Sequence, residues 1–235
     1  MSPAQQLDLE KIERFYEHLE AQQKGQTPFI QASMNLVKEP QKLMQIMLIR
    51  HGVPKISRKG WFKRKEAQQF IKDYDSVGVY PLAHQPVRLV KGELDTIYTS
   101  NLNRAIHTAQ LSFGDQITYV EDPQFAEFER KIIAFPNMKM PLGFWLVNSR
   151  LLWVLGLNDK GIENFKSAKK RARNGANFLA TQAARDGKVV LVAHGFLNKY
   201  LRKYLAKQGW HTVKNGGQEH LGVSLLIKSR EEAEK

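Results

Sequence analysis

The run Ile46-Met47-Leu48-Ile49, followed by Arg50-His51-Gly52-Val53-Pro54, decides how this chain folds. Four apolar residues in a row are too few for a helix and the turn-forming residues behind them close the element, so the run reads as a buried strand opening at Gln45. A second run, Lys188-Val189-Val190-Leu191-Val192-Ala193, ends in the same way at His194-Gly195. A short third strand near Thr96 to Thr99 leads into Ser100-Asn101-Leu102-Asn103-Arg104-Ala105. Helical patterns fall near 65–77, 102–113, 141–156, 161–185 and 196–207, and a last strand spans Leu221 to Ile227. Strands alternating with helices predict an α/β three-layer sandwich, its mostly parallel central sheet flanked by helices.

Composition sets the outer bounds. A chain of 235 residues with 42% hydrophobic side chains can bury the core of one domain, or of a domain with an appendage. Lys+Arg 36 against Asp+Glu 23 leaves a net charge of +13. Such a surplus points to anionic partners: nucleic acid, acidic lipid, or small phosphorylated and carboxylated molecules. The surplus is uneven, for residues 1–44 carry five Lys/Arg and six Asp/Glu and contribute none of it. We therefore divide the chain into an N-terminal helical extension, 1–44, and a main domain, 45–235. Within the extension, Leu7, Ile12, Phe15, Tyr16 and Leu19 recur at helical spacing, which predicts an amphipathic helix from about 7 to 22. Its apolar face would dock on the main domain or on a second subunit, leaving oligomerisation through this helix open.

Cysteine is absent, which excludes disulfides, thiolate metal sites and a cysteine nucleophile. The N-terminus lacks the uninterrupted apolar core of a signal peptide, so a cytoplasmic protein is expected. The most apolar stretch, Pro141 to Asn158, is broken by Asn148, Ser149 and Arg150 and falls short of the ~20 apolar residues that span a bilayer; no transmembrane segment is expected.

In open α/β sheets ligands bind beyond the carboxyl ends of the strands, and here those ends carry His51, His194 and the Ser100 to Arg104 turn. Glycine after each histidine would let the backbone turn and a ligand approach. Ser100 or Asn101 is placed to cap the following helix, with Arg104 in its first turn making an anion site. Taken singly, each is more often a packed histidine or a surface arginine. Their coincidence at equivalent strand ends is what points to a site.

These segments resemble the histidine phosphatase, or phosphoglycerate mutase-like, superfamily. The resemblance rests on Leu48-Ile49-Arg50-His51-Gly52, on Ile97 to Ala109 with Ser100 and Arg104, on the acidic Phe125-Ala126-Glu127-Phe128-Glu129, and on Val190-Leu191-Val192-Ala193-His194-Gly195, in that order. It covers about residues 45 to 227 and implies a catalytic domain working without metal or cofactor on a small phosphorylated substrate. By this resemblance His51 is the nucleophile that becomes a phosphohistidine, Arg50 and Arg104 bind phosphate oxygens through their fork of donors, and His194 donates to the same oxygens. Glu127 stands where the family carries its proton donor, a role worth roughly 10²–10⁴-fold. Glu129, two residues on, would point the opposite way in an extended segment. Either acid could instead pair with Arg130 or Lys131 at the surface.

The sequence departs from the mutases, which continue Arg-His-Gly-Glu-Ser-x-x-Asn; here Val53-Pro54-Lys55-Ile56-Ser57 follows. Hydrolysis of a phosphomonoester is thus the expected reaction, with Ser57 in the place of the Asn as a phosphate ligand. The alternatives are a phosphomutase or phosphoprotein phosphatase of the same superfamily and, from another class, a catalytically silent phosphate-ligand or RNA-binding module. Residues 50 to 65 carry seven Lys/Arg and no acid, so this loop would rim the site. The run Lys166, Lys169, Lys170, Arg171 and Arg173 reads mostly as a solvated helix face. Trp61-Phe62 among basic residues suits a nucleic-acid surface, but no nucleic-acid motif accompanies it. The apolar helix at 141–156 would cap the pocket or serve as an ordinary core helix.

Overall fold

In a computed structural model that describes residues 7–22, 26–134 and 136–232, the elements follow in the order α1 (Leu9–Gln22), β1 (Leu43–Arg50), α2 (Arg64–Ser76), β2 (Thr96–Thr99), α3 (Asn103–Phe113), β3 (Thr118–Glu121), α4 (Leu142–Val154), α5 (Phe165–Asp186), β4 (Lys188–Ala193), α6 (Gly195–Ala206), β5 (His211–Lys214) and β6 (Val223–Ser229). The strands form one sheet in the order β3-β2-β4-β1-β6-β5. β3, β2, β4 and β1 are mutually parallel, whereas β6 runs antiparallel to both of its neighbours. The fold is therefore the expected α/β sandwich with a mostly parallel sheet. β1 and β4 are adjacent, with Arg50 opposite Ala193, so the two His-Gly ends emerge side by side.

Helices cover both faces of the sheet, which is why β1 and β4 read as unbroken apolar runs. Alternate residues serve alternate faces. Ile46, Leu48, Val189 and Leu191 pack with Ala168, Ala172, Ala176 and Leu179 of α5 and Leu197 and Leu201 of α6. Met47, Ile49, Val190 and Val192 pack on the other side with Ala105 and Ala109 of α3. The alanines of α5 are small enough to bring that helix close, and Asn164 caps it by accepting from Ser167 N at 2.8 Å.

Of the two partners open to the extension's helix, the described structure has the chain's own sheet. Ile12 and Tyr16 of α1 are buried in the same core as Met47 and Ile49. Tyr16 donates its hydroxyl to the Pro28 carbonyl at 2.9 Å. The buried side chain of Gln45 then binds both backbone groups of Ile30, accepting from its N–H at 2.8 Å and donating to its carbonyl at 2.9 Å. A third cluster joins α2 to α4 through Ala67, Phe70, Leu142, Trp145 and Leu146. Trp153 of α4 reaches the main core, while Val147 and Leu151 on the same helix, and Leu155 just after it, are exposed. No helix of the described residues is long and apolar enough to cross a membrane.

Candidate active site

The carboxyl ends of β1, β2 and β4 open into a pocket of about 510 Å³ lined by Arg50, His51, Arg104 and Glu127 among others. His51 forms its floor and is 2% exposed. Its Nδ1 lies 2.8 Å from the Gly52 carbonyl. A carbonyl can only accept, so Nδ1 carries the proton and Nε2 keeps a free lone pair. Burial, and then the cations Arg104 and Arg50, hold the ring well below the ordinary histidine range, in its neutral, nucleophilic form.

Arg104 in the first turn of α3 is buried and stacks on Tyr74, its guanidinium carbon 4.7 Å from the ring centroid. One terminal nitrogen donates to the Tyr74 carbonyl at 3.0 Å and to Asp75 Oδ1 at 2.9 Å. Arg50 donates to the Gln218 carbonyl. The Nε atoms of both arginines are buried without a partner. Gly195 is a glycine for room and not for its backbone angles: a Cβ there would come within 2.7 Å of Gln218 Oε1 and 3.2 Å of Arg50 Cδ and Nε.

His194 is fully buried and lies behind the pocket wall, its ring centroid 5.2 Å from that of His51. Its Nε2 shares a 2.8 Å hydrogen bond with Ser100 Oγ, and Nδ1 has no partner. Burial first, and the neighbouring Arg104 and His51 next, push its pKa well below the ordinary range. Ser100 also accepts from Leu102 N at 3.2 Å, and neither Ser100 nor Asn101 caps α3, which begins at Asn103 with no side-chain cap. The expected capping role is thus replaced by a contact to His194.

Glu127 sits against the N-terminus of α6, where its two carboxylate oxygens accept from Phe196 N at 3.2 Å and Leu197 N at 3.1 Å. Such a helix terminus suits an anion. Oε1 also accepts from Phe128 N at 2.9 Å. Glu129 lines the pocket as well, but its carboxylate is exposed and accepts from Glu163 N at 2.6 Å. Neither acid pairs with Arg130 or Lys131. Ser57 is exposed and outside the pocket lining, its hydroxyl accepting from Lys59 N at 3.3 Å. The loop after β1 departs there because Pro54 bridges to Val79 and Lys55 N donates to the Gly78 carbonyl. Of its seven cations only Arg50 and Arg58 reach the pocket wall.

The structure adds residues that sequence reasoning missed. His220 packs on His51 with its ring tilted by 52° and the centroids 5.2 Å apart, and it donates from Nδ1 to the His51 carbonyl at 3.1 Å. Arg130 and Arg150 complete a wall of five arginines with Arg50, Arg58 and Arg104. Arg171, taken above as part of a solvated run, is paired with Glu163 at 2.7 Å and donates to the carbonyls of Gln124 and Ala126. No group of three or more His, Cys, Asp or Glu among the described residues is arranged to hold a metal ion.

Fold and site together define an α/β protein with an arginine-lined pocket at the carboxyl ends of its parallel strands. The chain belongs to the histidine phosphatase superfamily (branch 1), which it matches over residues 46–234. Among solved structures it is similar to a mycobacterial glucosyl-3-phosphoglycerate phosphatase, at 19% identity over 79% of this chain and 90% of that one with a TM-score of 0.49. It is also similar to a phosphoserine phosphatase from Entamoeba histolytica in complex with 3-phosphoglyceric acid, at 17% identity over 77% and 89% with a TM-score of 0.42. A phosphoglycerate mutase from Bacillus anthracis matches at 15% identity over 80% and 89%, with a TM-score of 0.46. A comparison with curated proteins finds no match.

Proposed function

We propose that the chain is a phosphomonoester hydrolase that works through a phosphohistidine on His51. The observation that carries this reading is the free Nε2 lone pair of a neutral, buried His51 facing a pocket lined by Arg50 and Arg104. Nε2 attacks phosphorus and the N–P bond forms as the ester P–O bond breaks, and the leaving alkoxide takes a proton from Glu127, to which the bound phosphate monoanion has first handed it. In the second half Glu127 removes a proton from water, the oxygen attacks phosphorus, and the N–P bond breaks to release inorganic phosphate and neutral His51. Fixed positive charge on the equatorial oxygens stabilises both transition states. Arg50 and Arg104 supply it, whereas His194, neutral and bonded to Ser100 behind the pocket lining, does not. The mutase loop is missing after Gly52, which favours water over a sugar hydroxyl as acceptor.

The test is hydrolysis of p-nitrophenyl phosphate by purified protein, followed by base-quenched trapping of labelled phosphoenzyme. The wild type should release nitrophenol and carry an acid-labile label on His51. His51→Ala should lose both while unfolding at an undiminished denaturant midpoint. Turnover retained in that variant would sink the proposal.

A further inference from the structure

A helix on a globular surface normally turns its polar and charged residues outward. On α4 the exposed positions are Gly143, Val147, Leu151 and Val154, with Leu155 and Leu157 just after it, and none is polar. Val147 is 67% exposed, Leu151 55% and Leu157 73%. Arg150, the one charged residue of α4, points inward, where it donates to the carbonyls of Glu129 at 2.9 Å and Phe128 at 2.7 Å and lies over Trp153 and Phe196. The stripe is also fixed in place. Gly156, at φ 75°, closes the helix as its N–H donates to the Trp153 carbonyl at 3.1 Å and that of Leu157 to the Leu152 carbonyl at 2.8 Å. In such a closure the residue after the glycine usually packs back on the last turn. Leu157 stands in solvent instead. At the other end of α4 the two-residue strand Trp61–Phe62 pairs antiparallel with Met140–Pro141, which runs straight into the helix. Phe62 packs inward with α2 and α4, and Trp61 beside it is 65% exposed.

The rim of this apolar surface is cationic. Lys59 and Lys63 flank Trp61 in the chain, Lys139 precedes Met140, and at the far end Lys131 donates to the Lys160 carbonyl. All five lysines are exposed, and none pairs with a carboxylate among the described residues. The acids nearest to them in sequence are Glu66, which accepts from Lys63 N, and Asp159. Exposed apolar area of this extent marks a contact surface. A two-fold contact with a second copy would set the patch, and so its lysines, against themselves. An acidic bilayer instead offers an apolar phase to the leucines and anions to the rim. We infer that the chain docks on anionic phospholipid bilayers through α4, with Val147, Leu151, Leu155, Leu157 and Trp61 entering the interfacial layer and the lysines resting among the headgroups. The contact is peripheral, because the 13 residues of α4 extend only about 20 Å against a hydrocarbon core of about 30 Å. The inference goes beyond the hydrolase reading and stands without it. Leu146 and Arg150, on the inner side of the same helix, line the pocket, so docking would hold the pocket beside the bilayer.

The experiment is co-sedimentation of the full chain with vesicles of phosphatidylcholine, alone or with about 30% phosphatidylserine. The wild type should partition into the acidic vesicles about tenfold better than into the neutral ones, and raising NaCl from about 0.1 to about 0.5 M should weaken binding about fivefold. Val147→Ser/Leu151→Ser changes exposed side chains only, so it should keep the wild-type unfolding midpoint while weakening binding about tenfold. Leu111→Ser, at an exposed leucine of α3, should bind as the wild type does. Trp145, Trp153 and Trp210 are buried, so brominated phosphatidylcholine in the acidic vesicles should quench Trp61, and Trp61→Phe should abolish that quenching. Equal partition into acidic and neutral vesicles, binding indifferent to salt, or quenching that survives in Trp61→Phe overturns the inference. So does a double variant that binds as tightly as the wild type, or an equal loss in Leu111→Ser. A dimer in the analytical ultracentrifuge that Val147→Ser/Leu151→Ser renders monomeric overturns it too, since the face then belongs to a second copy.

Discussion

The Arg171 guanidinium on α5 donates to the Ala126 carbonyl at 2.7 Å, which fixes the peptide immediately ahead of Glu127. The same nitrogen donates to the Gln124 carbonyl at 2.9 Å, while another holds Glu163 at 2.7 Å. A planar guanidinium can serve three acceptors at once, which a lysine ammonium on a flexible stem does less well. Arg171 is therefore a positioning residue for the segment that delivers Glu127.

Replacing Arg171 by Met strands Glu163 and two carbonyls in a partly buried setting, and we expect a loss of about 2–3 kcal/mol in urea unfolding. Arg171→Lys should recover part of this stability but little of the turnover. A structural role alone would lower the unfolding midpoint and leave kcat intact at a temperature where the variant is folded. A positioning role lowers kcat by about tenfold or more under the same conditions, and measuring both separates the two.

The fold should weaken as the solution is acidified through the histidine range. His51 and His194 are buried, and each is held neutral in the folded chain. Because their folded pKa values lie below the unfolded value near 6.5, the unfolded chain binds more protons in that window. Stability is then full above pH 6.5 and is lost as pH falls toward the folded values. At pH 5.5 the loss is at most about 1.4 kcal/mol for each histidine. Urea unfolding at pH 7.5 and 5.5 checks this, and His194→Asn should remove its own share of the difference while leaving those of His51 and of His220, which burial also holds below the ordinary range. A midpoint that does not move between the two pH values refutes the neutral assignment.

How much of this was legible beforehand depended on whether a residue's place follows from its own segment. His51 and His194 end buried strands whose apolar runs are visible, and β2 lines up with them, so Arg50, Arg104 and the two histidines could be brought to one sheet edge without coordinates. His220 could not. It precedes β6, and only the antiparallel direction of that strand returns its N-terminal loop to the end of β1. β3 and β5 escaped notice because they are four-residue strands at the two edges of the sheet with no unbroken apolar run. Arg171 was hidden among five cations, since which one turns inward depends on the phase set by Ala168, Ala172 and Ala176 against the sheet. Ser57 was placed by counting along a motif, whereas the Pro54 and Lys55 contacts take the loop elsewhere. The change of charge at residue 44 is one of composition, and across it α1 packs in the same core as β1.

Gly195→Ala isolates the packing of Arg50. Its backbone does not lie in the left-handed region, and alanine at the start of α6 carries no helical penalty. The added methyl would meet Gln218 Oε1 at 2.7 Å and Arg50 Cδ and Nε at 3.2 Å, so Gln218 is displaced and the Arg50 side chain is pressed to shift with it. We expect KM for p-nitrophenyl phosphate to rise by about tenfold with a change in unfolding free energy within about 1 kcal/mol. An unchanged KM would mean that Gln218, on the exposed side, yields instead.

Gln45→Leu tests the attachment of the N-terminal arm. Leucine preserves the bulk of a side chain that is 1% exposed but removes the donor and acceptor that serve Ile30. Both backbone groups of Ile30, itself 1% exposed, are then left without their partner in a dry site. Each such group costs about 1–3 kcal/mol, so a loss of about 2 kcal/mol or more is expected, well beyond that of an isosteric core change. If the arm opens as a unit, amide exchange should accelerate through α1 and at Phe29 and Ile30 while β4 and α5 stay protected. Should exchange rise uniformly over the whole chain instead, the arm and the sheet unfold together and the extension is energetically part of the domain it covers.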